Sequence, residues 1–228
     1  MRELGTVVVT GGASGLGAAV AGAVTRAGGT PVVLDVNAPA DGLAHEVVDL
    51  SDTRAAEAAV ARVADAHGGI DGVVTAAGTD ACGRLEEIET ERWERVVAVN
   101  LLGTVAVVRA ALPHLRTARG RVVTVASTLG WRALSDATAY CASKFGVVGF
   151  TRALMAEVGG EVGVTLLLPG GMQTAFFDGR DEQYRPGPDA RLAPPDEVAE
   201  AVVFALSRPP EVDVRELMVS VPTEPSWP

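Results

Sequence analysis

Short apolar runs alternate with longer segments of helical periodicity along most of the chain. The runs are bounded by glycine, proline or acidic residues, which predicts buried strands. The intervening segments carry apolar residues three and four positions apart, which predicts helices with one buried face. Strands are predicted at 6–10, 31–35, 45–49, 71–76, 120–126, 162–168 and 214–221, and helices at 15–28, 52–67, 90–115, 138–158 and 196–207.

Continuous apolar strands that alternate with helices are typical of a parallel sheet covered on both faces. We therefore predict a three-layered α/β fold, a doubly wound, Rossmann-like parallel sheet that forms a single domain over residues 1–228. A polar segment rich in Pro and Gly at 174–195 interrupts the pattern and is predicted to be a substrate loop or lid. The ligand site is expected at the carboxyl ends of the strands.

A glycine-rich turn, TGGASGLG at 10–17, follows the first strand. Its glycines allow a phosphate to approach the backbone, and the next helix offers unpaired N–H groups to a pyrophosphate. Asp35 ends the second strand, where a carboxylate can accept hydrogen bonds from both hydroxyls of an adenosine ribose and would repel a 2′-phosphate. This arrangement predicts NAD as the cofactor, with NADP less favoured; the alternative is that Asp35 only caps a turn.

Tyr140 and Lys144 are four residues apart on a predicted helix and therefore share one face. A neighbouring ammonium favours the phenolate and brings the Tyr pKa toward neutrality, which suits acid–base catalysis. Lys144 is the only lysine among 19 basic residues. Ser127 follows a strand and can donate to a substrate carbonyl, whereas Asn100, in an apolar helical stretch, is either a satisfied structural amide or the holder of a water linked to Lys144.

Together these motifs resemble the short-chain dehydrogenase/reductase family over almost the whole chain. Besides the turn and the residues above, the matching pieces are Asp49-Leu50, AAG at 76–78, YCASK at 140–144 and PGGMQT at 169–174. The resemblance implies that Tyr140 is the general acid/base, that Lys144 holds the nicotinamide ribose and lowers the Tyr140 pKa, that Ser127 orients the carbonyl and that Asn100 holds a relay water. The cofactor site that it implies comprises Gly11, Ser14, Gly15, Leu16, Gly17, Asp35, Asp49, Leu50, Ala76, Ala77, Gly78, Tyr140, Lys144, Pro169, Gly170, Met172 and Thr174.

The chain departs from the family pattern in two places that bear on structure. Thr75 stands where the family usually has the first Asn of Asn-Asn-Ala-Gly, which predicts the loss of one sheet-stabilising hydrogen bond. Only residues 36–45 separate the second and third strands, where members often carry a helix, so that flank of the sheet should be thinly covered.

The composition of the chain argues against several classes of binding partner. A net charge of −10 argues against nucleic acid and gives no support to an anionic membrane surface. We find no apolar run of membrane-spanning length and no signal peptide, and two cysteines are too few for a disulfide framework, so a cytoplasmic location is expected. Neither the cysteines nor the three histidines have metal-ligand spacing, so no metal is expected.

The loop at 174–195 carries aromatic and basic residues whose role the sequence leaves open. The aromatic residues either form an apolar lid over substrate or seat the loop on the core. The basic ones either meet a substrate carboxylate or stay solvated. These residues are Phe176, Phe177 and Tyr184, and Arg180, Arg185 and Arg191.

The sequence therefore predicts an NAD(H)-dependent oxidoreductase that transfers a hydride between nicotinamide and a secondary alcohol or ketone. The alternatives are a catalytically idle dinucleotide sensor and an epimerase or dehydratase of the same fold. The helices at 90–115 and 138–158 carry more apolar surface than one sheet face needs, and related proteins commonly pair them across a two-fold axis, which predicts a homodimer or homotetramer. The apolar residues in question are Val105, Val108, Ala111 and Leu112, and Phe145, Val148, Phe150 and Leu154.

Overall fold

The computed structural model describes residues 2–226 as seven parallel strands in one sheet, with helices on both faces. The strand order is β3-β2-β1-β4-β5-β6-β7, so the direction of winding reverses between β1 and β4. The strands are β1 (Thr6–Thr10), β2 (Thr30–Asp35), β3 (His45–Val47), β4 (Gly72–Thr75), β5 (Arg121–Val125), β6 (Gly163–Pro169) and β7 (Glu216–Val219). This architecture confirms the predicted doubly wound, three-layered fold.

In residues 2–226, six α-helices cover the sheet, and their ends are close to the predicted ones except where the helix predicted at 90–115 is divided into two. They are α1 (Gly15–Arg26), α2 (Thr53–His67), α3 (Thr90–Val97), α4 (Thr104–Ala118), α5 (Thr138–Glu157) and α6 (Pro195–Leu206). Asp52 caps α2, because its side chain accepts hydrogen bonds from the backbone N–H groups of Arg54 and Ala55.

Alternate residues of the central strands contribute to hydrophobic cores on opposite faces of the sheet. In β1, Val7 and Val9 pack with α1 and α6 on one face, while Val8 packs with α2 and α4 on the other. All three valines are fully buried, which explains why the centre of the strand is apolar at three successive positions rather than at every second one.

The predicted helix at 90–115 is not uniform. A π-helical segment, Ala98–Gly103, joins α3 to α4, and the helix runs on to Ala118. Contrary to the sequence expectation, the combined helix, Thr90–Ala118, is by length and composition apolar enough to cross a membrane. However, Val107, Ala111 and Leu115 of this helix are fully buried in the core, as expected of a helix that packs on a sheet.

The flank between β2 and β3 is thinly covered, as predicted. The described residues 36–44 contain no helix. Val36 and Val47 are consequently exposed.

Arg121, at the amino end of β5, is almost fully buried and ties this end of the sheet to the segment after α6. Its Nη1 lies 3.0 Å from Asp213 Oδ1, and its remaining N–H groups donate to the carbonyls of Arg208, Pro209 and Val212. A planar guanidinium can satisfy all of these acceptors at once, which no other side chain does.

We expect Arg121→Met to lower the free energy of unfolding by about 3 kcal/mol, because it leaves three carbonyls and one carboxylate without a hydrogen-bond donor. Arg116→Met, which removes an exposed pair with Glu161, should cost less than about 1 kcal/mol. Urea unfolding of both variants measures the difference. Equal losses would contradict the structural role of Arg121.

Candidate active site

The glycine-rich turn brings the start of α1 against the ends of β1 and β4. Gly11 has a φ of +69°, and a Cβ on it would lie 2.7 Å from Ala77 Cα. A Cβ on Gly17 would lie 2.1 Å from the carbonyl oxygen of Gly11. Ser14 precedes α1 without a side-chain cap, so the first N–H groups of the helix are available to an anion.

Asp35 is fixed beside this turn at the carboxyl end of β2. Its Oδ2 accepts a hydrogen bond from Ala13 N at 3.0 Å, and its Oδ1 accepts one from Asn37 N at 3.0 Å. Each carboxylate oxygen has a second lone pair for a further donor. The carboxylate is therefore both oriented and able to accept hydroxyl groups.

Asp49 forms an ion pair with Arg95, whose Nη2 lies 2.9 Å from Asp49 Oδ2. The backbone N–H of Ser51, followed by the Ser51 hydroxyl and Arg95, lowers the pKa of the Asp49 carboxyl. Asp49 is consequently held as an anion at the end of the site nearest to Asp35.

A single cleft of about 1050 Å³ runs along the carboxyl ends of the strands, where the winding reverses. The cleft is lined by every residue that the sequence assigned to cofactor binding, and also by Ser127. Asn100 alone among the predicted site residues does not line it.

Asn100 lies behind the cleft in the π-helical segment, and both ends of its amide are engaged. Its Oδ1 accepts from Thr79 N at 2.8 Å, and its Nδ2 donates to Thr79 O at 2.9 Å and to Ser143 Oγ at 3.0 Å. These bonds connect the loop after β4, which contains Thr79, to α5, which contains Ser143. They support the structural alternative for Asn100, although a Cβ on Gly78 would lie within 4 Å of both Asn100 Oδ1 and Lys144 Nζ.

Tyr140 is on the first turn of α5, and its phenol is near the end of β5. Burial is the largest influence on it and raises its pKa to about 12, while a hydrogen bond with Ser127 acts in the opposite direction. Ser127 is itself held in place, because its Oγ accepts from Leu129 N at 3.1 Å.

Lys144 is buried one helical turn after Tyr140, as predicted. Its Nζ donates to Val125 O at 2.9 Å and lies 5.7 Å from the centre of the Tyr140 ring. Burial lowers the Lys144 pKa to about 8. In this arrangement burial dominates the Tyr140 pKa, and the ammonium donates to a carbonyl rather than to the phenol. The lowering of the Tyr140 pKa by Lys144 therefore stays a prediction.

The loop between β6 and α6 closes the substrate side of the cleft. Phe176 approaches Tyr140, with ring centres 5.7 Å apart, which places an aromatic surface over the phenol. Arg180 is neither solvated nor free for a carboxylate, because its Nη2 lies 2.6 Å from Asp80 Oδ2. Arg185 donates to the carbonyls of Arg180 and Asp178 and so braces the turn of the loop.

The C-terminal residues form part of the cleft wall, which the sequence did not indicate. Glu224 Oε2 accepts a hydrogen bond from Gly171 N at 2.9 Å, and Ser226 Oγ lies 2.7 Å from Thr128 Oγ1. A Cβ on Gly170 would lie 2.7 Å from Ser220 Cβ, so a glycine is favoured there. No local pattern marks the role of Glu224 in the cleft, because Gly171, which it holds, is 53 residues away.

Thr75 bears out the predicted loss of a hydrogen bond. Its Oγ1 is buried without a partner among the described residues. The loop after β4 is instead held by Thr10, whose Oγ1 accepts from Ala77 N at 3.0 Å.

Residues 2–226 contain no group of three or more His, Cys, Asp or Glu side chains that could hold a metal ion. The cleft brings the glycine-rich turn and Asp35 together with Ser127, Tyr140 and Lys144. The Tyr140 oxygen can hold a proton, and it lies next to the Ser127 hydroxyl. The Lys144 ammonium is 5.7 Å from the centre of the Tyr140 ring.

Known proteins resemble this chain in sequence and in fold. A family model described as short chain dehydrogenase matches residues 5–185. The D-threitol dehydrogenase of Mycolicibacterium smegmatis is 36% identical over 220 residues, which are 88% of this chain and 85% of that protein. The D-beta-hydroxybutyrate dehydrogenase of Rhizobium meliloti is 34% identical over 190 residues, which are 76% of this chain and 73% of that protein.

A solved structure agrees with these relatives. The alcohol dehydrogenase of the archaeon Thermococcus sibiricus, complexed with 5-hydroxy-NADP, matches 94% of this chain and 95% of its own, with a TM-score of 0.82 and 27% identity. The family match, the relatives and the cleft agree, and the chain therefore belongs to the short-chain dehydrogenase family of oxidoreductases.

Proposed function

We propose that this protein is an NAD(H)-dependent dehydrogenase or reductase that interconverts a secondary alcohol and a ketone. The observation that carries the proposal is that Ser127, Tyr140 and Lys144 line the same cleft as the glycine-rich turn and Asp35. A protein that only senses a dinucleotide has no use for a buried acid–base pair beside it.

The residues of the cleft fit a nicotinamide dinucleotide. The uncapped start of α1 suits a pyrophosphate, the Asp35 carboxylate suits the hydroxyls of the adenosine ribose, and Lys144 and Tyr140 lie at the opposite part of the cleft, where a nicotinamide ribose would bind. When bound, such a cofactor supplies or accepts the hydride.

The chain itself supplies the proton. Ser127 donates its hydroxyl hydrogen to the substrate oxygen, and Tyr140 gives a proton to that oxygen in reduction or takes it in oxidation. With a pKa of about 8, Lys144 is mostly protonated at neutral pH. Its ammonium favours the phenolate of Tyr140 whenever the phenol loses its proton, which offsets part of the cost of burial.

We infer that NAD is preferred to NADP. A 2′-phosphate would meet the Asp35 carboxylate, whose orientation is fixed by two backbone N–H groups. Arg95 also lines the cleft, but its guanidinium is paired with Asp49. The alcohol dehydrogenase of Thermococcus sibiricus is complexed with an NADP derivative, so the fold by itself does not favour NAD, and the preference proposed here rests on the charge of Asp35.

We also propose a homodimer or homotetramer in which α4 and α5 face a second copy. Of the eight residues on which this prediction was based, Val108, Ala111, Val148 and Leu154 are buried within one chain, so they are not available to a partner. Phe145, by contrast, is 45% exposed on α5, and Leu102 is 48% exposed in the π-helical segment next to α4. These exposed side chains are the basis of the proposal.

Replacing the acid–base group tests the mechanism. Tyr140→Phe should reduce turnover by about 100-fold or more while NADH binding survives, because the ring stays and the proton donor is lost. Tyr184→Phe removes the only other phenol of the chain and should change turnover by less than about tenfold. Steady-state assays that follow the absorbance of NADH with a panel of secondary alcohols and ketones measure both variants. Near-normal turnover of Tyr140→Phe would leave the proposed chemistry without support.

Cofactor choice tests the role of Asp35. NADH should bind more tightly than NADPH, and Asp35→Ala should narrow the difference, because the repulsion of a 2′-phosphate is removed. Asp41→Ala, in the exposed connection after β2, should leave the ratio unchanged. Fluorescence titration with both cofactors gives the ratios, and an NADPH preference in the parent protein would overturn the assignment.

The assembly is tested by light scattering at micromolar concentration. We expect about two or four times the chain mass of 23.4 kDa. Phe145→Asp should reduce the mass toward one chain, whereas Phe204→Asp, at a comparably exposed position on α6, should not. A parent protein of single-chain mass would refute the proposal.

A further inference from the structure

Asp80 and Arg180 form an ion pair that joins two distant parts of the chain. Asp80 lies in the loop after β4, and Arg180 lies in the substrate loop, which comprises residues 175–191. The Asp80 side chain is only 6% exposed and that of Arg180 18%. Among residues 2–226, this is the only ion pair that connects the substrate loop to the rest of the protein.

Arg180 also contacts the part of the loop that faces the phenol of Tyr140. Its guanidinium carbon lies 5.1 Å from the ring centre of Phe176 and 4.7 Å from that of Phe177. Because Phe176 in turn approaches Tyr140, the position of the guanidinium determines where the aromatic wall stands over the acid–base group.

Asp80 is the fixed member of the pair. Its Oδ1 accepts from Ala81 N at 2.7 Å, and its Oδ2 accepts from Cys82 Sγ at 3.2 Å as well as from Arg180. Burial and the charge of Asp80 raise the pKa of the Cys82 thiol to about 12, so this thiol remains a donor. The carboxylate thus holds its orientation independently of the loop.

The base of the substrate loop is held separately. Met172 pairs with Ala193 as an isolated bridge, and Gln173 Nε2 donates to Leu192 O at 3.0 Å. Toward the tip of the loop, Arg180 Nε is buried without a hydrogen-bond partner among the described residues. The guanidinium therefore keeps this position although one of its N–H groups is unsatisfied. Its contact with Asp80 is the polar link that closes the loop.

We propose that Asp80 and Arg180 are positioning residues that latch the substrate loop over Tyr140 and thereby determine how tightly the alcohol or ketone is held. This inference builds on the proposed dehydrogenase function. Among the described residues, the contacts of Asp80 and Arg180 include neither the glycine-rich turn nor Asp35, so the latch should affect the substrate and not the cofactor.

The test compares Asp80→Asn, Arg180→Gln, the double variant and the conservative Arg180→Lys with the parent protein. Arg26→Gln, which breaks an exposed pair with Glu200, is the matched control. Three quantities are measured: kcat/KM for the alcohol, the Kd of NADH, and the rate at which chymotrypsin cleaves after Phe176 or Phe177. The proteolysis needs no turnover, and circular dichroism establishes that each variant is folded.

We expect Asp80→Asn and Arg180→Gln each to lower kcat/KM for the alcohol by about 10- to 100-fold through a higher KM, with the Kd of NADH changed by less than about twofold. The double variant should lose no more kcat/KM than either single variant, because both substitutions break the same pair. Arg180→Lys should have a higher kcat/KM than Arg180→Gln. The rate of chymotrypsin cleavage should rise in each variant in proportion to its loss of kcat/KM. The control should match the parent protein.

Unchanged KM and cleavage in a folded Arg180→Gln variant would overturn the latch, and so would an equal loss of NADH affinity. If Asp80→Asn does not fold, Arg180→Gln and Arg180→Lys still test the latch, because Arg180 lies on a surface loop. If the parent protein turns over no alcohol, the dehydrogenase function is overturned. Faster chymotrypsin cleavage of the Asp80 and Arg180 variants would in that case still support the latch.

Discussion

Both faces of the sheet are covered by helices, and this constraint governs where charge can occur. Among the five strands that have a neighbour on each side, β2, β1, β4, β5 and β6, the only charged residues are Arg121 at the start of β5 and Asp35 at the end of β2. An unpaired charge in the middle of these strands would have neither water nor a counter-ion. Chemistry is thereby confined to the strand ends, and parallel pairing gathers the carboxyl ends at one edge.

Polar side chains at the two ends of the sheet have different surroundings. At the amino end, Arg121 is fully paired by a carboxylate and three carbonyls, which stabilises the fold without creating reactivity. At the carboxyl end, Lys144 is buried and Tyr140 is half-buried, and desolvation favours the neutral form of each. A desolvated phenol beside a buried amine, both with perturbed pKa values and both lining a cleft, is the kind of arrangement that acid–base catalysis uses.

The substrate side of the cleft is built from segments outside the sheet. The loop that carries Phe176 is joined to the loop after β4 by Asp80 and Arg180, and the residues around Glu224 close the wall near Gly171. These contacts lie outside the strands and the glycine-rich turn. A shared fold does not fix the substrate, and the two relatives, the D-threitol and D-beta-hydroxybutyrate dehydrogenases, are named for different ones.

The sequence by itself determined whatever is encoded locally. Apolar periodicity located the strands and helices to within about two residues at most ends, and the glycine-rich turn, Asp35 and the Tyr140–Lys144 pair were recognisable because each depends on residues only a few positions apart or at the end of a strand. Tertiary structure decided the rest. The π-helical segment around Asn100, the raised pKa of Tyr140, the ion pair of Asp80 with Arg180 and the contact of Glu224 with Gly171 all depend on groups that are distant in sequence. Desolvation and ion pairing follow from what surrounds a side chain in space, and no local pattern of residues records that.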